Sequence, residues 1–227
     1  MTTTAPNYAE YGDTIDPINW NRIGRRTQPN AEKRHRKQQM TTLTTCVLSR
    51  NTKRLAHDSQ ALHRTLKHDI KGNFLWSLPD RRTLVIQHDE PVHWPDVMPG
   101  VITRTHSVEA ITPITGVPVQ WALIANPTVC VSRGKGRRGK RTPLGEEDWV
   151  PWAHRKLDSA INIHEVDATL MPVARGQRHE MTIYHRRVIF TGTGTVACCD
   201  TLADIQRAGV GAGKAYGCGL LIVQEAA

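Results

Sequence analysis

The chain has 227 residues, with 30 Lys and Arg against 21 Asp and Glu, a formal net charge of +9 and a sequence pI of about 9.6. That length fits one medium domain or two small ones, and the charge points to a polyanionic partner, nucleic acid ahead of a membrane. No apolar run approaches the ~18 residues of a membrane span. No signal peptide opens the chain. The odd set Cys46, Cys130, Cys198, Cys199 and Cys218, with no CxxC pair, argues against a zinc site or disulfide framework and suits a reducing cytoplasm.

In chain order, residues 1–39 are polar and end in the basic run Lys33–Lys37, which predicts a disordered N-terminal extension. Thr42–Leu48 alternates like a half-buried strand. Asp58 or Ser59 caps a helix whose Leu62, Leu66 and Ile70 recur at i+4. Phe74–Leu78 and Thr83–His88 read as strands, Trp94–Gly100 as a short helix or loop among prolines, and Val101–His106 as a further strand. The second half repeats the order. Val117–Ala125 is a strand, and a helix opens at Thr142-Pro143 and runs to about Ile161, with Pro151 as a kink or delayed start. Val166–Pro172 and Met181–Thr191 are strands, Thr201–Ala208 a helix and Leu220–Val223 the last strand. The fold class is α+β.

Between the last helix and strand, five glycines and one lysine fall within eleven residues: Gly209, Gly211, Gly213, Lys214, Gly217 and Gly219. Such a loop reaches φ > 0, approaches a ligand closely and can cradle an anion on its N–H groups. It is not a Walker A loop, because Ala208 stands where that motif needs glycine and Ala215 where it needs Ser or Thr. It is not a dinucleotide fingerprint either, since Lys214 takes a glycine position and too little chain follows for a βαβ unit.

The pattern Gly-Val-Gly-x-x-Lys-x-x-Gly-x-Gly-Leu-Leu over Gly209–Leu221 resembles the glycine-rich loop of the CRISPR-associated RAMP proteins, most closely the CasE family of crRNA-processing endoribonucleases. The resemblance begins near Met40. It implies two tandem ferredoxin-like (βαββαβ, RRM-like) domains, over 40–112 and 113–227. It also implies cleavage of CRISPR precursor RNA within the repeat hairpin, the product staying bound with the other Cascade subunits. Neither a metal nor a nucleotide cofactor is called for. Alternatives are a non-catalytic crRNA-binding RAMP subunit and a generic RRM-like RNA-binding protein.

On the first helix, Leu62 and Leu66 face the core, so His63 and Lys67 fall one residue round, on the rim. Leu62-His63-Arg64-Thr65-Leu66 is similar to the family's histidine helix, which assigns His63 the catalytic role. The chemistry so implied is attack by a ribose 2′-OH on the adjacent phosphorus, leaving a 2′,3′-cyclic phosphate and a 5′-OH. His63 acts there as acid or base, and Arg64, Lys67 and Lys214 are cations for the phosphate. Some family members carry a tyrosine three residues before the histidine, where this chain has Gln60.

RNA contacts are expected from the run Arg133, Lys135, Arg137, Arg138, Lys140 and Arg141, interleaved with three glycines and resembling the family's basic linker. We expect this linker to be disordered until RNA binds. Arg155 and Lys156 extend the surface, and Arg178 lies in a further basic stretch with Arg175 and His179. The acidic cluster Glu146-Glu147-Asp148 reads as a helix N-terminus rather than a metal site, and no RNP1-like aromatic run is present.

Overall fold

The structure, a computed structural model, describes residues 41–50, 58–137, 139–178 and 181–226. The expected N-terminal extension, residues 1–39, lies outside them, as does Arg138.

The first unit contains β1 (Thr42–Leu48), α1 (Ser59–Asp69), β2 (Phe74–Ser77), β3 (Thr83–His88) and β4 (Ile102–Glu109). Its four strands lie in the order β2-β3-β1-β4, every neighbouring pair antiparallel. Of the two candidate caps, Asp58 is the one used: its Oδ1 accepts from the N–H groups of Gln60 and Ala61 at 3.1 and 2.9 Å. Where a second helix would stand there is a single 3-10 turn, Trp94–Asp96.

The second unit contains β5 (Pro118–Ala125), β6 (Thr128–Val131), β7 (Lys140–Pro143), α2 (Trp149–Leu157), β8 (Ile161–Arg178), β9 (Met181–Val196), α3 (Cys199–Ala208) and β10 (Leu221–Glu225). Its main sheet runs β10-β5-β9-β8. Renumbered within each unit, both sheets have strand order 4-1-3-2, the ferredoxin-like arrangement expected from the resemblance.

Two expectations fail locally. The helix does not open at Thr142-Pro143; those residues close β7, which pairs antiparallel with β6 in the register Thr128↔Pro143 to Val131↔Lys140. Proline is tolerated there because it ends an edge strand at a pair that exchanges no ladder bond: the next donor is Leu144, to the Pro127 carbonyl. The helix starts at Trp149, after a 3-10 turn over Glu146–Asp148 that places the acidic cluster at its N-terminal end as expected. Pro151 is the third helical residue, in the first turn, where its missing N–H breaks no helical bond. The second correction follows from the first: the basic stretch does not lead directly into the helix but belongs to a β-hairpin inserted between β5 and α2, with Lys140 and Arg141 on β7 and Arg133, Lys135 and Arg137 in the connection between its strands.

Three apolar clusters hold these parts together. One lies between α1 and the first sheet, around Leu62, Leu66, Trp76 and Ile86. Another lies under α2 and α3, around Trp121, Trp152, Leu157, Phe190 and Leu202. The third lies between the sheets: Leu43, Leu75 and Val85 of the first meet Ala122, Ile124, Ile189, Leu220 and Ile222 of the second. The strand alternation explains this sandwich, since odd-numbered β5 residues face the helices and even-numbered ones face the other sheet. Polar ties cross the same seam. Gln87 Nε2 donates to the Gln206 carbonyl at 2.9 Å, and the buried Arg187 guanidinium donates to the carbonyls of Pro172 and Leu78.

Candidate nucleic-acid-cleaving site at the seam

His63 sits on α1, half-buried, between the buried Leu62 and the exposed Arg64, with Lys67 exposed one turn on. Its neighbour on β2 is Trp76, whose indole Nε1–H donates to His63 Nδ1 at 3.2 Å. An indole nitrogen only donates, so Nδ1 accepts and the neutral ring carries its proton on Nε2. Among the described residues Nε2 has no protein partner. Burial holds the His63 pKa below its ordinary value, and the Lys67 charge lowers it further. Phe74 stands beside the ring, with centroids 5.5 Å apart. His63 is thus an imidazole whose neutral form is favoured by burial, with one nitrogen fixed by the protein and the other uncommitted among the described residues.

His88 shows the opposite arrangement. Its Nδ1 donates to the Glu90 carbonyl at 2.8 Å and its Nε2 pairs with Thr44 Oγ1 at 2.9 Å, inside the first unit. Both nitrogens are satisfied, and the ring is 3% exposed. It is a core histidine.

The glycine loop reaches this site from the second unit. Gly209, Gly211, Gly213, Gly217 and Gly219 all have φ between 73° and 94°, a region that costs an L-residue about 1–2 kcal/mol. Two of them also have no space for a side chain. A Cβ on Gly217 would lie 2.7 Å from the Trp76 ring, and one on Gly219 would lie 2.8 Å from the Val210 carbonyl oxygen. Ser77 Oγ donates to the Gly217 carbonyl, fastening the loop to β2.

Loop N–H groups bond within the protein. Six do so in turns and caps, Gly209 donating to Ile205, Val210 to Gly219, Tyr216 and Cys218 to Gly213, Gly217 to Lys214, and Gly219 to Ile124, and Ala212 adds an antiparallel bridge to Asn126. Lys214 Nζ donates to the Ala208 carbonyl, at the C-terminal end of α3. The loop is therefore built first as a brace between the sheets, and these six groups are not aimed outward as an anion cradle.

The remaining residues singled out from sequence are dispersed. Arg133, Lys135, Arg137, Lys140 and Arg141 are exposed on the β6–β7 hairpin, whose base is tied to β9 by Arg186 donating to the Leu144 carbonyl. Arg155 and Lys156 are exposed on α2. Arg178 ends β8. No group of three or more metal-ligating side chains gathers among the described residues.

Sequence reasoning missed Trp76, which the fold brings to His63, and a second cluster in the other unit. Trp76 sat inside an ordinary strand signal. Tyr216, His185 and Asn126 lie far apart in the chain, yet Asn126 Nδ2 donates to His185 Nδ1 at 2.8 Å and the His185 and Tyr216 ring centroids are 3.9 Å apart, the planes tilted by 40°.

A family model described as CRISPR associated protein matches residues 25–225, so the chain belongs to that family of CRISPR-associated proteins. The match starts ahead of Met40, where the motif resemblance begins. Within the family the resemblance to CasE is borne out: the CRISPR system Cascade subunit CasE of Escherichia coli K12 is 25% identical over 190 residues, covering 73% of this chain and 92% of that protein. Among solved structures, Cas6e from E. coli K-12 superposes with a TM-score of 0.64 at 24% identity, covering 82% of this chain and all of that one. Thermus thermophilus Cse3, bound to an RNA representing a pre-cleavage complex, gives 0.69 at 22% identity over 82% of this chain and 99% of that one. At these identities the structural likeness speaks for the tandem ferredoxin-like fold.

Proposed function

We propose that this chain is a metal-independent endoribonuclease that cleaves CRISPR precursor RNA within the repeat hairpin and stays bound to the crRNA as a Cascade subunit in the cytoplasm. The observation that carries the reading is His63: a half-buried ring at a two-unit seam, one nitrogen held by Trp76 and the other uncommitted. The likeness to the E. coli CasE subunit supports the substrate. The charge of +9 supports a polyanionic ligand. Five cysteines without a disulfide suit a reducing compartment.

The functional division is residues 40–112, carrying His63, and 113–227, carrying the basic hairpin and the loop. The reaction forms the O2′–P bond and breaks the P–O5′ bond, moving one proton from O2′ to O5′. His63 handles that proton at Nε2, a role typically worth ~10²–10⁴-fold in rate. The Trp76 contact favours the donor state, because freeing the Nε2 lone pair of the neutral ring puts the proton on Nδ1, facing the indole N–H. Arg64 and Lys67, exposed beside His63, stabilise charge on the phosphate. Arg133, Lys135, Arg137, Arg138, Lys140 and Arg141, with Arg155, Lys156 and Arg178, grip the stem. Between Gly209 and Gly219 the exposed stretch around Gly211 meets the backbone.

The test is cleavage of the cognate repeat hairpin in EDTA by wild type and His63→Ala, with RNA carrying a single 2′-deoxy at the scissile nucleotide as the second arm. Cleavage in chelator that either change reduces by at least a hundredfold, with binding retained, is the expected outcome. Tight binding without wild-type cleavage would make the chain a crRNA-holding subunit instead.

A further inference from the structure

One hydroxyl-bearing side chain is tied by two separate sets of contacts to the residues that flank and hold His63. Gln60 and His63 are three residues apart on α1, hence neighbours on one face, roughly 5–6 Å between Cβ atoms. A Cβ added at Gly176 on β8 would lie 2.9 Å from Gln60 Cβ and 2.6 Å from the Tyr216 ring, so Gln60 and Tyr216 close over that glycine together. Independently, Gly217, next to Tyr216 in the chain, is pressed on Trp76, whose N–H holds His63. Tyr216 thus adjoins His63's environment through α1 and through β2.

The ring is also held in place. Tyr216 begins no strand or helix of its own; it ends the 3-10 turn Lys214–Tyr216, flanked by Gly213 and Gly217 in the left-handed region. His185 packs against it, tilted, with ring centroids 3.9 Å apart, and is itself oriented by Asn126. Two buried amide oxygens, Gln60 Oε1 beside the tyrosine and Asn126 Oδ1 behind the histidine, have no hydrogen-bond donor among the described residues. Buried acceptors left in that state are costly, as is common where a fold is arranged for function rather than stability.

Resting on the endoribonuclease reading above, we propose that Tyr216 is a second catalytic residue, whose phenol donates a hydrogen bond to a non-bridging oxygen of the scissile phosphate. That oxygen gains negative charge as O2′ bonds to phosphorus, so the hydrogen bond strengthens toward the transition state. Gln60 carries no acid–base group, and the neutral His63 handles a proton at one atom only. A fixed phenol from the second unit completes the site with a donor that needs no proton transfer. His185 is a positioning residue for it.

The experiment is single-turnover cleavage by wild type and Tyr216→Phe, on all-oxygen RNA and on each of the two phosphorothioate diastereomers at the scissile position. Phenylalanine keeps the ring on Gly176 and His185, so folding and RNA affinity should be unchanged. The expected result is a rate ~10- to 100-fold lower at saturating protein, with unchanged Kd for 2′-deoxy RNA. That deficit should largely vanish on one diastereomer, because sulfur is a poor acceptor. An equal deficit on all three substrates, or none, overturns the assignment while leaving the endoribonuclease reading intact. Absence of wild-type cleavage overturns both.

Discussion

The two ferredoxin-like units share a strand order and differ in what was added to it. The first is pared down: its second helix is reduced to the turn Trp94–Asp96, and its contribution to the site is one helix with His63 and one strand with Trp76. The second is elaborated, with the basic β6–β7 hairpin, the long β8–β9 ribbon and the glycine loop. On the proposed reading, proton chemistry sits on the plain unit, while substrate contact comes from the ornate one, which also supplies the bracing loop. A duplicated fold can divide labour this way because each copy retains its own core, and the shared cluster between sheets fixes their relation.

The sharpest way to break this division is to unseat the brace. Gly217→Ala combines a left-handed φ of 73° with a Cβ 2.7 Å from the Trp76 ring. Backbone strain of this kind costs roughly 1–3 kcal/mol, and the displaced indole would release His63. We expect a lower melting temperature and a loss of cleavage exceeding that of Tyr216→Phe. A variant as stable and active as wild type would show that the loop does not hold the site.

A smaller effect separates grip from chemistry. Lys140→Ala with Arg141→Ala removes two exposed cations from the hairpin. Repeat-RNA affinity should fall and the log–log salt slope should flatten by about 0.9 for each phosphate no longer neutralised, with the rate at saturating protein nearly unchanged. An unaltered slope would take the hairpin out of the RNA interface.

The subtlest change tests the indole contact. In the folded protein the His63 pKa is lowered, so its neutral form contributes stability above the unfolded value of about 6.5, and that contribution is lost as pH falls below it. Protonation at Nδ1 also sets two donors face to face across the Trp76 contact. Trp76→Phe removes one of them, so the His63 midpoint followed by NMR should rise toward 6.5, and the acid loss of stability should shrink. Coincident midpoints in the two proteins would mean that the contact has no influence on titration.

Which of this was legible in the sequence follows from distance along the chain. The strand Thr83–His88 and the rim position of His63 were written in local periodicity, and both stand. The false helix start at Thr142-Pro143 came from a sound local rule, proline at a helix N-terminus. It lost to a pairing with Thr128–Val131 that no local window contains. The glycine loop was conspicuous, but its glycines pointed to ligand approach alone, because Trp76 lies far upstream of Gly217. Tyr216 gave no signal for the same reason: Gln60 and Gly176 become its neighbours only when both units are folded.

The loop from Gly209 to Gly219 comes after every other described element except β10, and β10 inserts at the edge of the second sheet beside β5. Protein synthesis runs from the N-terminus at about 5–20 residues per second, and domains fold as they emerge. His63 and Trp76 are therefore made well before the segment that braces them. A nascent chain whose first unit has folded on the ribosome holds the histidine without its brace and without Tyr216. On the proposed reading, RNA cleavage waits on the synthesis of that loop, with no inhibitor required.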